Sequence, residues 1–255
     1  MEGLNSHSSS DQVAQNSSSE EIIEISAQQM NAFTKSQAII PKVGGGISLI
    51  ACTLIIRDIS MKWHEKRSVP LPSIILFCIS VANWLLSLFS FFLSTWMMPR
   101  DSGAFLAAGN TQSCTAQGFI STLTMVASQT YYTVLAILFW AIVQFGWSET
   151  YMRQMKIRLS FLIPPATISL GVSIPPLFME IYNPGSFTCS VRPLPIDCED
   201  NPEVECIRGR GAWTYWSFVL IGSMVLGFII VVFVLLLVHS VFQEEAKCDK
   251  VSCLI

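Results

Sequence analysis

Apolar residues in this chain are gathered into five long blocks, which alternate with shorter polar stretches. The third block is the longest. The segment 119–145 is almost wholly apolar, and no Asp, Glu, Lys or Arg occurs between Thr115 and Ser148. Roughly 31 helical residues would extend over about 46 Å, which exceeds the roughly 30 Å hydrocarbon layer of a membrane. The pattern therefore predicts a membrane-spanning helix that is tilted or protrudes.

The other blocks predict four more spans, so the expected fold is an all-α integral membrane protein with a five-helix bundle. The expected spans cover residues 38–56, 71–98, 115–145, 159–179 and 212–242. Together they form one domain, 37–243, followed by a short tail, 244–255. The first 36 residues are polar and are predicted to be a disordered tail, because such a composition cannot bury enough apolar surface to fold.

The charges of the connecting segments predict the orientation. The 57–69 loop has four basic and two acidic residues, and the 146–158 loop has three basic and one acidic. The 180–211 loop has three basic and six acidic residues, and the first tail is also acidic. Since basic residues near spans mark the cytoplasmic side, we predict an extracellular N-terminus and a cytoplasmic C-terminus, most simply in the plasma membrane. On the outer side, Asn16 begins an Asn-Ser-Ser glycosylation pattern.

Composition supports the membrane class and argues against several functions. Only 13% of the residues are charged, and the mean hydropathy is +0.51, whereas soluble domains have about a quarter charged residues. The second to fifth spans contain no Asp, Glu, Lys or Arg, which argues against a proton pump or an ion-coupled transporter. The three histidines lie on different segments. We expect the protein to have no enzymatic activity, no cofactor and no nucleic-acid partner. Membrane lipid is an expected partner.

Four of the eight cysteines fall on the predicted outer side, where disulfides persist. They allow three pairings, among which sequence alone cannot choose. The preferred set joins Cys114, at the head of the third span, to Cys189 in the long loop, and Cys198 to Cys206 within that loop. On the inner side, palmitoylation and unmodified thiols are equally compatible with the last two cysteines, Cys248 and Cys253.

Two groups of residues are candidates for functional contacts. The outer and middle part of the third span contains hydroxyl and amide side chains that could face a ligand or could hydrogen-bond to neighbouring helices: Thr122, Gln129, Tyr132 and Thr133. The loop after this span contains charges that could contact a cytoplasmic protein partner or could reflect positive-inside topology alone: Glu149, Arg153, Lys156 and Arg158. Topology does not require the acidic Glu149. The glycines at 44–46 favour close approach of a neighbouring helix.

Several short motifs occur in the order and spacing of a known receptor family. They are Ile40-Pro-Lys-Val-Gly-Gly-Gly46, Phe91-Phe-Leu-Ser-Thr-Trp96, Gly109-Asn-Thr-Gln-Ser-Cys-Thr-Ala-Gln-Gly118, Gly146-Trp-Ser-Glu149, Thr188-Cys-Ser190 and Glu205-Cys-Ile-Arg-Gly209. On these motifs the chain resembles the G-protein-coupled receptors, most closely the cAMP-receptor-like and secretin-like receptors of protists and algae. The resemblance extends over residues 38–242.

The resemblance implies an extracellular ligand, coupling to a heterotrimeric G protein and a disulfide at Cys114. It also implies a cytoplasmic contact surface around Glu149 and Arg153. The chain departs from the family in having five predicted spans instead of seven, in lacking an Asp-Arg-Tyr triplet after the third span, and in having Asn83 where related receptors often have Asp. We therefore expect a receptor-like protein that is either a truncated or mispredicted gene product or a short form that pairs with a full-length partner, and a receptor oligomer is among the expected partners. The alternative is a non-signalling five-helix scaffold or a dominant-negative partner of full-length receptors.

Overall fold

The computed structural model describes the backbone of residues 8–65, 69–195, 198–199 and 204–252, and within these the side chains between 35 and 242. The helices are α1 (Ser8–Glu65), α2 (Leu71–Leu86), α3 (Thr111–Phe145), α4 (Glu149–Met152), α5 (Met155–Ser173), α6 (Pro175–Phe178) and α7 (Ala212–Ser252). Two short strands, β1 (Tyr182–Pro184) and β2 (Cys189–Val191), pair antiparallel.

Five segments of the described chain are long and apolar enough to cross a membrane, as the sequence predicts. They are Lys35–Glu65, Leu71–Phe92, Thr111–Phe145, Met155–Phe178 and Ala212–Phe242. The bundle exposes many large apolar side chains, especially along α1 and α7. In a membrane protein these surfaces are solvated by lipid, so the all-α membrane fold is confirmed.

Two spans are interrupted rather than continuous. The helix α2 passes into a π-helical turn at Ser87–Phe92 and then a 3-10 turn at Ser94–Met97. The fourth span bends at Ile174, where α6 begins with two prolines. A proline has no amide hydrogen to continue the helix. Hydropathy alone reads each of these spans as one block, because it is insensitive to the backbone path.

The ends of three helices differ from the predicted boundaries. The helix α3 begins at Thr111, since Asn110 and Ser113 form a reciprocal capping box ahead of the apolar block. The helix α1 begins at Ser8, within the tail predicted to be disordered, and α7 continues to Ser252. Once a helix is nucleated, each added residue contributes one hydrogen bond, so polar residues can extend a helix beyond its membrane span.

The helix α3 is central to the bundle and packs against α2, α5 and α7, while α1 packs against α2 and its π-helical turn. One core cluster joins α2 and α3, with Ile75, Ile79 and Leu138 fully or almost fully buried. A second cluster joins the β-hairpin to α7, around Tyr182 and Ala212. The hairpin therefore covers the end of the bundle where α3 begins.

Candidate functional site

A disulfide fixes the β-hairpin to the start of α3. Cys114 pairs with Cys189, with a Cα–Cα distance of 5.4 Å, and both residues are almost completely buried. Met98, at the end of the irregular part of the second span, packs against the bridge. The pairing is the one that the sequence analysis preferred. It places a covalently held hairpin directly over the helix that organises the bundle.

The second preferred disulfide is also present, between Cys198 and Cys206, with a Cα–Cα distance of 5.1 Å. The carboxylate of Glu199, next to this bridge, accepts hydrogen bonds from the backbone amides of Gly211 at 2.6 Å and Ala212 at 3.0 Å. A carboxylate at a helix N-terminus satisfies free amides and interacts favourably with the helix dipole. The small disulfide loop therefore caps α7.

Gln117 connects the hairpin to the interrupted end of the second span. Its amide nitrogen donates to the carbonyl of Phe89 at 2.6 Å and to that of Ser94 at 2.8 Å, and its amide oxygen accepts from the backbone N–H of Cys189 at 3.1 Å. The residue is fully buried. Both carbonyls belong to the π-helical and 3-10 turns at the end of the second span, so the amide of Gln117 connects this irregular backbone to α3.

Gln117 was not among the predicted site residues. A sequence signal was available: an amide one turn after Cys114, at the start of a long apolar helix. Its partners come from two other elements, however, and spacing along one helix cannot reveal them.

Tyr182 of β1 is the largest fully buried side chain in the described part of the protein. A β-carbon at Gly118 would lie 2.6 Å from its ring, so this glycine permits the hairpin to lie against α3. The hydroxyl donates to the carbonyl of Ser173 at 3.0 Å. Burial raises the pKa of Tyr182, and burial lowers the pKa of Arg192 after β2. The hairpin is thus packed into the bundle and does not project away from it.

A hydrogen-bonded cluster lies between α2 and α3 in the middle of the bundle. The hydroxyl of Ser128 donates to the side-chain oxygen of Asn83 at 2.6 Å, and the Asn83 amide nitrogen donates to the Tyr132 hydroxyl at 3.1 Å. Side chains of this kind join helices within membranes. The phenol of Tyr132 is 44% exposed, so one edge of this polar cluster is open at the bundle surface.

The four predicted ligand-facing residues do not converge on one point. Thr122 and Thr133 are buried and donate to carbonyls within α3, those of Gly118 and Gln129, both at 2.9 Å. Tyr132 is turned toward α2 and Asn83. The side-chain oxygen of Gln129 is buried without a hydrogen-bond partner in the described part of the protein. A ligand-facing role for these residues stays a prediction.

The predicted G-protein-facing residues surround α4 and the start of α5. Arg153 forms an ion pair with Glu149 at 2.7 Å, and both side chains are about half exposed; the pair itself contributes little stability. Lys156 is exposed. Arg158, by contrast, donates to the carbonyl of Val69 at 2.8 Å and so connects α5 to the start of α2. Three of the four charges therefore lie on an accessible surface.

Some predicted sites are outside the part that can be described. The side chains of Asn16 and Cys248 lie outside the described residues, and so does the whole of Cys253. Glycosylation and palmitoylation there remain predictions. Within the described residues, no group of three His, Cys, Asp or Glu side chains could hold a metal ion.

Comparison with solved structures defines the class of fold. The chain is similar to the crystal structure of squid rhodopsin, with a TM-score of 0.60 and 16% sequence identity. The match covers 87% of this chain and 56% of the rhodopsin chain, so the chain spans a little over half the length of that protein. No family model matches the sequence, and no curated protein matches it.

At this level of identity the likeness shows the fold alone. The protein has a fold like that of G-protein-coupled receptors, with a five-helix bundle that resembles helices one to five of a seven-transmembrane receptor. The match does not identify the cAMP-receptor-like or secretin-like type.

Proposed function

We propose that this protein is a G-protein-coupled receptor-like membrane protein, which senses an extracellular ligand and signals through a heterotrimeric G protein. The observation that carries the proposal is the position of α3. This helix begins beside the hairpin that the Cys114–Cys189 disulfide holds, and it ends at Phe145, four residues before the exposed Glu149 at the start of α4. Between its ends it contacts α2, α5 and α7. The receptor-like fold supports the same reading.

The outer end has features suited to ligand sensing. The hairpin is joined to α3 by the Cys114–Cys189 disulfide and to the second span through Gln117. A displacement of the hairpin would therefore act on two spans together. Packed side chains and hydrogen-bond networks of this kind can carry energetic coupling between distant sites.

The inner end has features suited to a protein partner. Arg153, Lys156 and Glu149 are exposed, and the surface also includes Tyr151 and Met155, which are 41% and 70% exposed. Mixed charges around exposed apolar side chains are typical of protein-binding surfaces. We infer that this surface contacts the G protein.

The test is guanine-nucleotide exchange on a purified heterotrimeric G protein by the protein in lipid nanodiscs. We expect the protein to capture the nucleotide-free G protein and to raise exchange above that of empty nanodiscs. The Arg153→Gln variant removes a positive charge from the proposed contact surface, so it should reduce both readouts at least about fivefold. A five- to tenfold reduction corresponds to roughly 1.0–1.4 kcal/mol of binding free energy.

The matched control is Arg100→Gln, which removes an exposed arginine from the opposite end of the bundle. It should leave capture and exchange unchanged. If the wild-type protein neither captures the G protein nor raises exchange, the proposed signalling function is wrong.

A further inference from the structure

Lys42 is the one charged side chain among residues 38–56, in the outer part of the first span. Its ammonium donates to the hydroxyl of Ser94 at 2.9 Å and to the carbonyl of Phe92 at 3.3 Å. It also lies 4.4 Å from the ring centroid of Trp96. All three partners belong to the irregular end of the second span and are uncharged. No carboxylate among these partners offsets the charge of the ammonium, and its third hydrogen has no protein acceptor among the described contacts.

A second lysine lies on the same face of α1. Lys35 is two helical turns before Lys42, which corresponds to about 10 Å along the axis, and its ammonium is 5.9 Å from the ring centroid of Phe105. Each cation thus rests on an aromatic ring of the segment that follows α2. Within the described residues, neither ammonium lies within 4.0 Å of a carboxylate.

The surface around these two cations is apolar. Ile39 and Val43 on α1 are 49% and 59% exposed, and Trp96, whose ring lies under the Lys42 ammonium, is 41% exposed. A charge within a membrane span costs several kcal/mol unless it is compensated, and such charges commonly mark a functional site. Snorkelling would carry the ammonium away from the bundle, whereas Lys42 is held against it by Ser94.

We propose that Lys42 anchors a binding site for the anionic headgroup of an amphiphile, a carboxylate or phosphate on an alkyl chain. The third hydrogen of its ammonium donates to an anionic oxygen, Lys35 adds a second positive charge, and the exposed apolar side chains of α1 contact the alkyl chain. The headgroup can belong to a soluble amphiphile or to an anionic membrane lipid, because both have the same chemistry. The site would identify the ligand class of the proposed receptor, and that role rests on the proposed function.

The test uses the 255-residue chain in phosphatidylcholine nanodiscs, with dansyl-undecanoic acid as the probe and its methyl ester as the neutral analogue. Binding is followed by energy transfer from tryptophan to the dansyl group. We expect the acid to bind at least about tenfold more tightly than the ester, because only the acid presents an anion to Lys42. Equal binding of the acid and the ester to the wild-type protein would overturn the proposal, and this comparison needs no variant.

Variants of two lysines on the same helix locate the site. Lys42→Met should weaken binding of the acid at least about tenfold and leave the ester unchanged, and Lys42→Arg should retain the preference for the acid. The control is Lys62→Met at the inner end of α1, where Lys62 pairs with Asp58 at 2.6 Å; it should have no effect. Unchanged binding of the acid to a folded Lys42→Met protein would show that Lys42 does not bind the headgroup, and the proposed site would be wrong.

Nanodiscs that include phosphatidylglycerol distinguish the two sources of the headgroup. Competition with the probe would show that the site takes a lipid headgroup, and its absence would indicate a soluble amphiphile. None of these binding measurements includes a G protein. A failure of the acid to bind would therefore overturn the proposed site without deciding the proposed signalling function, which the exchange assay tests. A protein that binds the acid but promotes no exchange would retain the site and lose the receptor role.

Discussion

At the scale of single residues, polar side chains in this bundle act as connections between elements. Gln117 joins α3 to the broken end of the second span and to the hairpin, and Asn83 joins α2 to Ser128 and Tyr132. A buried donor or acceptor that loses its partner costs about 1–3 kcal/mol. The polar residues of the spans therefore contribute to stability out of proportion to their number.

Substitution of Gln117 tests this role. Gln117→Leu leaves two carbonyls and one backbone amide without their side-chain partner, so we expect the free energy of unfolding to fall by at least about 2 kcal/mol. The measurement is thermal or denaturant unfolding of the purified protein in detergent. The same substitution at Gln144, an exposed residue of α3 whose side chain accepts from Ser240 at 3.3 Å, should cost well under half as much. Equal losses would contradict the role assigned to Gln117.

Sequence spacing could identify the polar residues of α3 but not their partners. Thr122, Gln129 and Thr133 share a face at helical spacing, yet both threonine hydroxyls donate to carbonyls of their own helix. A threonine in a membrane helix can bond back to its own turn or across to a neighbour. Which of the two hydrogen bonds forms depends on the acceptors that the adjacent helix places nearby, and the sequence of α3 alone does not reveal these acceptors.

At the scale of elements, the close contact of α1 with the π-helical turn depends on one glycine. A β-carbon at Gly45 would lie 2.7 Å from the Phe91 β-carbon and 2.8 Å from the Phe92 backbone nitrogen, whereas one at Gly44 would meet nothing within 4 Å. Of the three glycines predicted to allow close helix packing, Gly45 is the one at which a side chain would clash with the second span.

The two neighbouring glycines form a matched pair. Gly45→Ala should lower the free energy of unfolding by about 1–3 kcal/mol, because α1 has to move away from a backbone that cannot yield. Gly44→Ala should be neutral or raise it by up to about 1 kcal/mol, since alanine favours helix. Thermal unfolding of both variants in the same detergent measures the difference. Similar shifts for the two would mean that α1 does not approach the second span so closely.

The hairpin and α3 behave as one element if the Cys114–Cys189 bridge forms in cells. Cys114→Ala and Cys189→Ala should then reduce surface expression equally, and the double variant should lose no more than either single one. Cys198→Ala should add its own loss to that of Cys114→Ala, because it breaks the other bridge. Additive losses from Cys114→Ala and Cys189→Ala would show that these two residues are not partners.

At the scale of the whole molecule, the bundle has two chemically distinct ends. One end has the hairpin and both disulfides, and the other has α4 and its charged neighbours. The loop charges predict that the disulfide end is extracellular. This orientation also supplies the oxidising surroundings in which disulfides persist.

Cysteine labelling on intact cells tests the orientation. Ser102→Cys, in the exposed loop before α3, should react with a membrane-impermeant maleimide from outside. Met155→Cys, at the exposed start of α5, should react only after permeabilisation. The reverse pattern would invert the topology and would place the proposed ligand and G-protein surfaces on the wrong sides.

The sequence by itself determined the class of fold, the number of spans in the described chain and the four cysteines among which the disulfides form, though not their pairing. Backbone polar groups must be satisfied within the protein in a bilayer, and apolar blocks of this length fit membrane-spanning helices. Hydropathy therefore predicted five spans, and the described chain has five segments long and apolar enough to cross a membrane. Their ends differ: the second segment stops at Phe92, and the helices α1 and α7 extend into polar sequence.

Only the tertiary structure decided how these helices are joined. The π-helical turn of the second span, the contacts of Gln117 and Lys42 with its carbonyls, and the choice of Gly45 over Gly44 as the contact point all depend on atoms from distant segments. The free energy gained by burying apolar surface is roughly proportional to the buried area and has no direction. It therefore favours association of the helices without specifying where they meet. Hydrogen bonds and steric contacts depend on exact position, and they specify where the helices meet.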